Sequence, residues 1–153
     1  MKRIASFSVN HDTLDKGMYI SRVDGDAVTY DIRMKKPNGG DYLSNGAMHT
    51  FEHLFATYVR NTNYADSIIY VGPMGCRTGF YFIVRDNVTS AEALRLVKDC
   101  FEFISNFKGE IPGATKRECG NCLEHDLSGA VSVAADMLKV LENRTENDMK
   151  YPE

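Results

Sequence analysis

The hydrophobic pattern changes its period along the chain, and this change constrains the possible folds most strongly. Residues 27–34 alternate between apolar and polar side chains, which is the period of a half-buried strand. Residues 47–60 instead repeat apolar side chains at spacings of three and four, as one face of an amphipathic helix does. Because the two kinds of segment occur without regular βαβ alternation, the sequence predicts an α+β domain, with a mostly antiparallel sheet packed against helices.

Shorter segments add to this prediction. Three runs of mixed or apolar character are candidate strands: 3–9 at an edge of the sheet, 67–71 and 79–84. Thr89 and Glu92 are spaced as a capping box at the start of a second helix. Residues 130–141 carry the apolar spacing of a third helix.

Boundaries and irregular segments are also predicted. Asn45 is the candidate N-cap of the first helix. Residues 114–121 are mostly polar and are expected to form a short helix or a loop. The polar tail from 142 to 153 is expected to fray.

Length and composition limit the class of protein. The chain has 153 residues, of which 43% are hydrophobic and 25% charged, so we expect one globular domain over residues 1–153. The net charge of -3 gives no general attraction to nucleic acid or to anionic membranes. No apolar run approaches the roughly 20 residues of a membrane span, and the first ten residues lack the apolar core of a signal peptide. We therefore expect a cytoplasmic protein with reduced thiols.

His49, Glu52 and His53 form the sharpest local motif. The two histidines are four residues apart on the predicted first helix, so they share a face and can hold one metal ion. Glu52 lies close to the same face and can reach a substrate or a metal-bound water without being a ligand. This is the inverted H-x-x-E-H pattern. The alternative is a pair of surface histidines that bind nothing.

A catalytic metal site usually has a third protein ligand. The candidates are Cys76, Cys119, Cys122 and His125. Cys119 and Cys122 also form a C-x-x-C pair, but no second pair completes a zinc ribbon and no thioredoxin-like βαβ pattern precedes it. At least one of these two sulfurs is therefore expected to join the histidines. Two imidazoles and a thiolate suit zinc, ferrous iron or cobalt.

Residues outside the helix motif have two interpretations each. Cys76 lies in a glycine-rich loop beside Arg77, a cation that favours a thiolate, although a buried packing cysteine fits equally well. Arg33 lies near the end of a predicted strand and can bind a carboxylate, but a solvated arginine at the sheet edge is the simpler interpretation. His125 and Asp126 are expected to be an exposed pair before the third helix.

The combination of motifs resembles the S-ribosylhomocysteine lyases, the LuxS family of autoinducer-2 synthesis. The resemblance covers nearly the whole chain. It rests on Ser6-Phe7, His11, Asp31-Ile32-Arg33, the run from His49 to Ala56, the run from Pro73 to Tyr81, and Glu118-Cys119-Gly120-Asn121. The helix motif alone is shared with inverted zinc peptidases. The combination of the helix motif, the Met-Gly-Cys-Arg-Thr-Gly-Phe loop and a Cys-Gly pair near the C-terminal end, in this order in so short a chain, is highly specific for the family.

The resemblance implies a role for each matching residue. The metal ligands are matched by His49, His53 and Cys119. Cys76 matches the catalytic cysteine and Glu52 the catalytic glutamate. Substrate-contacting positions are matched by Ser6, His11 and Arg33. The resemblance also implies a homodimer with two active sites at the subunit interface. Each subunit is expected to bind one divalent metal ion, natively Fe(2+) and often replaced by Zn(2+) or Co(2+).

The implied reaction splits S-ribosylhomocysteine into homocysteine and 4,5-dihydroxy-2,3-pentanedione. Elimination of the thiol from C5 of the sugar needs an acidic proton at C4, so the carbonyl group must first migrate from C1 to C3. Each step needs a Lewis acid at an oxygen and a base at the adjacent carbon. Two rival hypotheses stay open: a small inverted zinc peptidase, and a protein whose zinc is purely structural and is bound by both Cys119 and Cys122.

One stretch departs from the family pattern. The Ile-Asp-Ile-Ser-Pro run that usually precedes the catalytic cysteine reads Ile69-Tyr70-Val71-Gly72-Pro73 in this chain. Tyr70 therefore replaces an acidic residue, which leaves open how the amino acid end of the substrate is held. Cys122 matches no ligand of the family.

Overall fold

The computed structural model of the chain describes residues 1–153. Four strands form one antiparallel sheet in the order β1-β2-β4-β3: β1 (Gly17–Asp24), β2 (Ala27–Arg33), β3 (Ile68–Pro73) and β4 (Gly79–Arg85). Three helices pack against the sheet: α1 (Asn45–Val59), α2 (Ser90–Ser105) and α3 (Leu127–Leu141). No helix combines the length and the apolar character needed to cross a bilayer. The predicted α+β class with an antiparallel sheet is confirmed.

Aromatic side chains fill the centre of the core between the sheet and the helices. Alternate residues of the two central strands are at most 1% exposed: Tyr30, Ile32, Phe80, Phe82 and Val84. Phe51 and Phe55 of α1 contact Phe101 of α2 edge-on, with ring centroids 5.0 and 5.4 Å apart. Since these two phenylalanines fix which face of α1 is buried, His49 and His53 of the same helix are left only partly buried beside the core.

The sheet differs from the prediction at its N-terminal edge. Residues 3–9 contain a 3₁₀ turn (Ala5–Phe7) instead of an edge strand, so that prediction is wrong. The apolar residues Ile4 and Phe7 are three positions apart, as in a 3₁₀ turn, and both are exposed. The edge strand is β1, which the sequence pattern does not predict. Its first three residues are all buried, whichever face of the sheet they are on, and its last three are all exposed. The strand therefore lacks the alternation of buried and exposed residues by which a half-buried strand is predicted.

Capping side chains define where α1 and α2 begin. Ser44 caps α1, because its Oγ accepts the Ala47 N–H at 3.3 Å, so the prediction of Asn45 as the N-cap is wrong. The capping box of α2 is confirmed. Glu92 Oε2 accepts the Thr89 N–H at 2.8 Å, and Thr89 Oγ1 accepts the Glu92 N–H at 3.2 Å.

A close crossing of α3 over α1 places the segment before α3 beside the H-x-x-E-H motif. α3 begins at Leu127, earlier than predicted, because Asp126 caps it by accepting the Gly129 N–H at 2.9 Å. A β carbon at Gly129 would lie 2.8 Å from the β carbon of Ala47, so the crossing requires glycine. The two helices can therefore approach closely enough for residues 124–126 to contact α1.

The C-terminal tail (142–153), for which the sequence predicts fraying, packs against β1 and β2. Met149 is 2% exposed, and its carbonyl oxygen accepts a backbone N–H of β1 at 2.9 Å. The ring of Tyr151 stacks on Tyr19 with centroids 5.2 Å apart, and its hydroxyl donates to Asp31 Oδ2 at 2.7 Å. Two anchoring side chains thus hold an otherwise polar segment against the sheet.

Candidate active site

Four side chains with metal-binding atoms converge beside α1, and we call them the His/Cys cluster: His49, His53, Cys119 and His125. Their ligand atoms all lie within 4.8 Å of one another. The first two come from α1, and the other two from the segment between α2 and α3, which consists of turns without a regular helix. Cys119 Sγ lies 3.4 Å from His49 Nε2. Imidazoles and a thiolate at these separations suit a first-row divalent metal ion.

Backbone carbonyl groups fix the rings of His49 and His53. The Nδ1–H of His49 donates to the carbonyl oxygen of Glu124 at 2.8 Å, and the Nδ1–H of His53 donates to that of Pro112 at 2.8 Å. Because a carbonyl oxygen can only accept, the proton of each neutral ring is on Nδ1. Both Nε2 atoms therefore carry a free lone pair, which is the form that binds a metal ion.

Backbone contacts also hold Cys119 in place. Its N–H donates to the carbonyl oxygen of Thr115 at 2.9 Å, and its Sγ accepts the N–H of Asn121 at 3.4 Å. The sulfur of Cys122, the other cysteine of the C-x-x-C pair, is not a member of the His/Cys cluster.

His125 differs from the other two histidines in what its Nδ1 contacts. Nδ1 lies 2.9 Å from the hydroxyl of Thr50, which is fully buried and already accepts the Asp126 N–H at 2.9 Å. A threonine hydroxyl has one proton and two lone pairs, so it can either donate to His125 Nδ1 or accept a ring proton from it. Nε2 lies 3.8 Å from Cys119 Sγ, where it can donate to a thiolate.

The surroundings of His125 contradict its expected exposure. It is partly buried, and its ring stacks on that of His49 with centroids 3.9 Å apart and planes 20° apart. Burial, and then the neighbouring His49 and His53, lower the pKa of His125. Its ring is therefore neutral at neutral pH.

A second group of residues lines a pocket of about 330 Å³, which we call the Cys76 pocket. Its lining includes four residues singled out in the sequence: Ser6, His11, Arg33 and Cys76. Asp31, Tyr81 and Tyr151 complete its polar wall. The structure thus brings together residues from the N-terminal segment, β2, the β3–β4 loop and the C-terminal tail.

The Cys76 pocket and the His/Cys cluster adjoin each other at Pro73. Glu52 is partly buried and lines a shallow groove together with His49 and Pro73. Pro73 is also part of the Cys76 pocket. The predicted catalytic glutamate and the predicted catalytic cysteine therefore belong to two concave surfaces that share a wall.

The loop that carries Cys76 is held close to β2. A β carbon at Gly79 would collide with the carbonyl oxygen of Ile32, so glycine is needed where β4 begins beside β2. Cys76 is exposed, which excludes its interpretation as a packing cysteine, whereas Cys100 is fully buried. The guanidinium of Arg77, the residue after Cys76, donates to the backbone carbonyl of Leu43 at 3.2 Å.

A buried ion pair forms the floor of the Cys76 pocket. Arg33 and Asp31 are 3% and 1% exposed, and Arg33 Nη2 lies 2.6 Å from Asp31 Oδ2. The interpretation of Arg33 as a solvated edge arginine is therefore wrong. Burial, and then Asp31, raise the pKa of Tyr151, so its hydroxyl stays protonated and donates to Asp31. Asp31 Oδ1 and Arg33 Nε are buried without a partner in the protein.

Arg33→Met should destabilise the protein by about 3–5 kcal/mol, because it leaves the buried Asp31 carboxylate without its cation. Urea denaturation of the metal-loaded protein measures this change. Arg22→Met is the matched control, since Arg22 and Asp24 form an ion pair of the same 2.6 Å length whose side chains are 58% and 52% exposed. The control should leave the denaturation midpoint nearly unchanged. Equal effects of the two substitutions would contradict a structural role of the buried pair.

Three residues of the two sites have contacts that the sequence analysis does not predict. The sequence does indicate that Asp31 lies near Arg33, because the two residues are two positions apart on a predicted strand and so share a face of the sheet. His125 was a candidate metal ligand in the sequence. Its contact with Thr50 joins residues 75 positions apart, and no local pattern predicts such a contact. No local pattern indicates Tyr151, whose contact with Asp31 spans 120 positions.

Comparison with known proteins agrees with this geometry. Residues 4–148 match the sequence profile of the S-ribosylhomocysteinase (LuxS) family. A protein of Clostridium acetobutylicum named S-ribosylhomocysteine lyase is 46% identical over an alignment that covers 100% of both chains. The protein of the same name from Phocaeicola vulgatus is 46% identical over 99% of this chain and 98% of its own. That of Borreliella afzelii is 44% identical over 99% of this chain and 100% of its own. The family expected from the motifs is confirmed: the chain belongs to the S-ribosylhomocysteinase (LuxS) family.

Proposed function

We propose that the chain is an S-ribosylhomocysteine lyase, which cleaves S-ribosylhomocysteine to homocysteine and 4,5-dihydroxy-2,3-pentanedione, the precursor of autoinducer-2. The observation that carries this proposal is the shared wall at Pro73 between the His/Cys cluster and the Cys76 pocket. A metal-binding group and a thiol then line two adjoining concave surfaces. The full-length relatives that bear the name of this activity support the same conclusion.

The ligands proposed for one divalent ion are His49 Nε2, His53 Nε2 and Cys119 Sγ. The free lone pairs of the two histidines and the amide donor at the cysteine sulfur support this set. His125 is left out, because the family resemblance gives it no ligand role and its ring lies nearly parallel to that of His49. Three protein ligands leave a coordination position for substrate, as in catalytic sites. The proposed ion is Fe(2+), with Zn(2+) or Co(2+) as substitutes.

Cys76 and Glu52 are the proposed proton carriers. When bound, the divalent ion supplies a Lewis acid that polarises a sugar oxygen. Each migration of the carbonyl group removes a proton from one carbon and delivers a proton to its neighbour, so a base must become an acid within the same step. A thiolate and a carboxylate both fit this role. The last step removes the proton at C4 and expels homocysteine from C5.

Ser6, His11 and Arg33 are the proposed substrate contacts. Ser6 and His11 are partly buried in the N-terminal segment and line the Cys76 pocket. Both Nη groups of Arg33 already bind protein oxygens, of Asp31 and of Thr78. Its Nε has no partner in the protein and is buried below the pocket surface.

Tyr70 and Gly72 depart from the family pattern together. Tyr70 is 53% exposed, and a β carbon at Gly72 would collide with its ring. The glycine therefore makes room for the tyrosine, at positions where the family pattern usually has a serine and an acidic residue. Tyr70 lines a groove with Ser6 and Tyr81, which are also part of the Cys76 pocket. We expect the ring to alter how the amino acid end of the substrate is held.

The proposed assembly is a homodimer with its active sites at the interface. Light scattering at micromolar concentration should give about twice the 17.2 kDa of one chain. Besides the family resemblance, exposed apolar side chains near Ser6 support this assembly, because a stable monomer rarely leaves such side chains together in water. They are Ile4, Phe7 and Tyr70, which are 54%, 64% and 53% exposed. A fully active monomer would contradict the proposal.

Incubation of the metal-loaded protein with S-ribosylhomocysteine tests the activity directly, with thiol detection of the released homocysteine. We expect thiol release that depends on the protein and stops when a chelator removes the metal. The inverted zinc peptidase hypothesis predicts cleavage of denatured protein instead. Release of peptides without release of homocysteine would exclude the proposed function.

A further inference from the structure

We propose that Cys119 and Cys122 form an oxidation site, at which a peroxide converts the two thiols to a disulfide and thereby removes a metal ligand. This inference rests on the proposed role of Cys119 as a ligand. It concerns the C-x-x-C pair as a switch and not as the active site of an oxidoreductase. Cys122 has no other place in the proposed function, because its sulfur is not a member of the His/Cys cluster.

The backbone turns between the two cysteines. Residues 120–123 form a turn directly after Cys119, and the Glu124 N–H donates to the carbonyl oxygen of Asn121 at 3.1 Å. A four-residue turn brings its first and fourth α carbons within about 7 Å of each other, and disulfides join α carbons about 4.4 to 6.8 Å apart. Cys119 and Cys122 have this spacing in the chain. A β carbon at Gly120 would meet no atom within 4 Å, so the turn has open space in which to adjust.

The turn lies at the surface, where a small oxidant can reach it. Leu123, inside the turn, is 95% exposed, and Cys119 and Cys122 are both partly buried. Cys100 is fully buried, and burial raises the pKa of its thiol. Because oxidation of a cysteine requires both access and thiolate character, the C-x-x-C pair is open to oxidation and Cys100 is not.

The oxidation has two steps, and hydrogen peroxide is the electron acceptor. The thiolate of Cys122 attacks one peroxide oxygen, so that an S–O bond forms, the O–O bond breaks, and the departing hydroxide takes up a proton to give water. The thiolate of Cys119 then attacks the sulfur of this sulfenic acid. The S–S bond forms, the S–O bond breaks, and a second water leaves. The two sulfurs lose two electrons in total, and an excess of small thiols reverses the product by disulfide exchange.

The disulfide removes one ligand from the metal site. A sulfur within a disulfide is no longer a thiolate, which is the form that binds a metal ion. His49 and His53 alone are fewer protein ligands than a catalytic zinc-type centre has. Since metal binding and oxidation compete for the same sulfur, each opposes the other. The metal-free chain should therefore oxidise faster than the metal-loaded chain.

The test uses Zn(2+)-loaded protein, because zinc has no redox chemistry of its own. Cys76→Ala is the parent protein, since it removes the exposed thiol of the Cys76 pocket as a competing site. Cys122→Ala in this background is compared with Leu123→Ala, which changes an exposed side chain of the same turn. A chromogenic chelator records the release of zinc after hydrogen peroxide is added. Intact mass and peptide mapping identify the oxidised residues.

The parent and Leu123→Ala should each release one Zn(2+) per chain, lose two hydrogen atoms and contain a bond between Cys119 and Cys122. Dithiothreitol with added zinc should restore the bound ion, because the thiolate of Cys119 is regenerated. Cys122→Ala should keep its Zn(2+) over the time in which the parent releases it, since it lacks the second sulfur.

Release of zinc from Cys122→Ala at the rate of the parent, or a parent in which no bond between Cys119 and Cys122 forms, would overturn the inference. A bond that forms without loss of zinc would overturn it as well, and would also contradict Cys119 as a ligand. None of these observables uses turnover. If the bond and the zinc release behave as expected but the wild type releases no homocysteine from S-ribosylhomocysteine, the proposed function fails and the oxidation site stands.

Discussion

Cys76→Ala and Glu52→Gln should each lower the turnover of S-ribosylhomocysteine by at least about 100-fold, with the fold and the bound metal retained. General acid–base groups contribute roughly 10² to 10⁴-fold each. The reaction uses several proton transfers, so each substitution can slow more than one step. Neither residue belongs to the His/Cys cluster, and metal binding should therefore persist. Steady-state release of homocysteine, together with metal analysis of the same samples, measures both effects.

Two matched variants separate catalysis from general damage. Cys122→Ala removes a thiol outside the His/Cys cluster, and Glu102→Gln neutralises an exposed carboxylate on α2. Both should turn over close to the wild-type rate. A variant that blocks only a late proton transfer should also let a ketose intermediate accumulate. If Cys76→Ala or Glu52→Gln keeps near wild-type turnover with its metal bound, that residue is not a proton carrier.

The parts of the site that lie on one element were predictable from the sequence. The spacing of His49, Glu52 and His53 defines their arrangement once the segment is helical, and the apolar positions 51, 54 and 55 establish the helix. The capping box of α2 is equally local. These features depend on residues three or four apart, and the periodicity of a helix relates such residues directly.

The parts that depend on contacts between distant segments were not predictable from local patterns. The place of His125 in the His/Cys cluster follows from the crossing of α3 over α1, which Gly129 permits. The exposed tail expected from its polar composition is anchored by Tyr151 to a carboxylate on β2. In the same way, the hydroxyl group of Thr78 contacts both Cys76 and Arg33, which are 43 positions apart in the sequence.

Cys119→Ala should abolish stoichiometric metal binding, whereas Cys122→Ala should retain one ion per subunit. The sulfur of Cys119 lies 3.4 Å from His49 Nε2 and accepts a backbone N–H, as expected for a ligand thiolate. Removing it leaves two imidazoles, which are fewer ligands than catalytic zinc-type centres have. Dialysis against a weak chelator, followed by elemental analysis, measures the metal content of each variant. Loss of the metal from Cys122→Ala, with retention in Cys119→Ala, would contradict the assignment and favour another ligand set.

His125→Phe decides whether the centre has three or four protein ligands. The substitution keeps an aromatic ring to stack on His49 and removes both ring nitrogens. If His125 only donates to the thiolate of Cys119, the variant should bind one ion per subunit with an affinity lowered by about 10- to 100-fold, as for other residues that orient a ligand. If His125 is instead a fourth ligand, it fills the coordination position that a substrate oxygen needs. His125→Phe should then abolish stoichiometric metal binding, as Cys119→Ala does. Co(2+) spectra of the wild type and of His125→Phe distinguish the two cases, because the ligand-field bands should change little when the ligands stay the same.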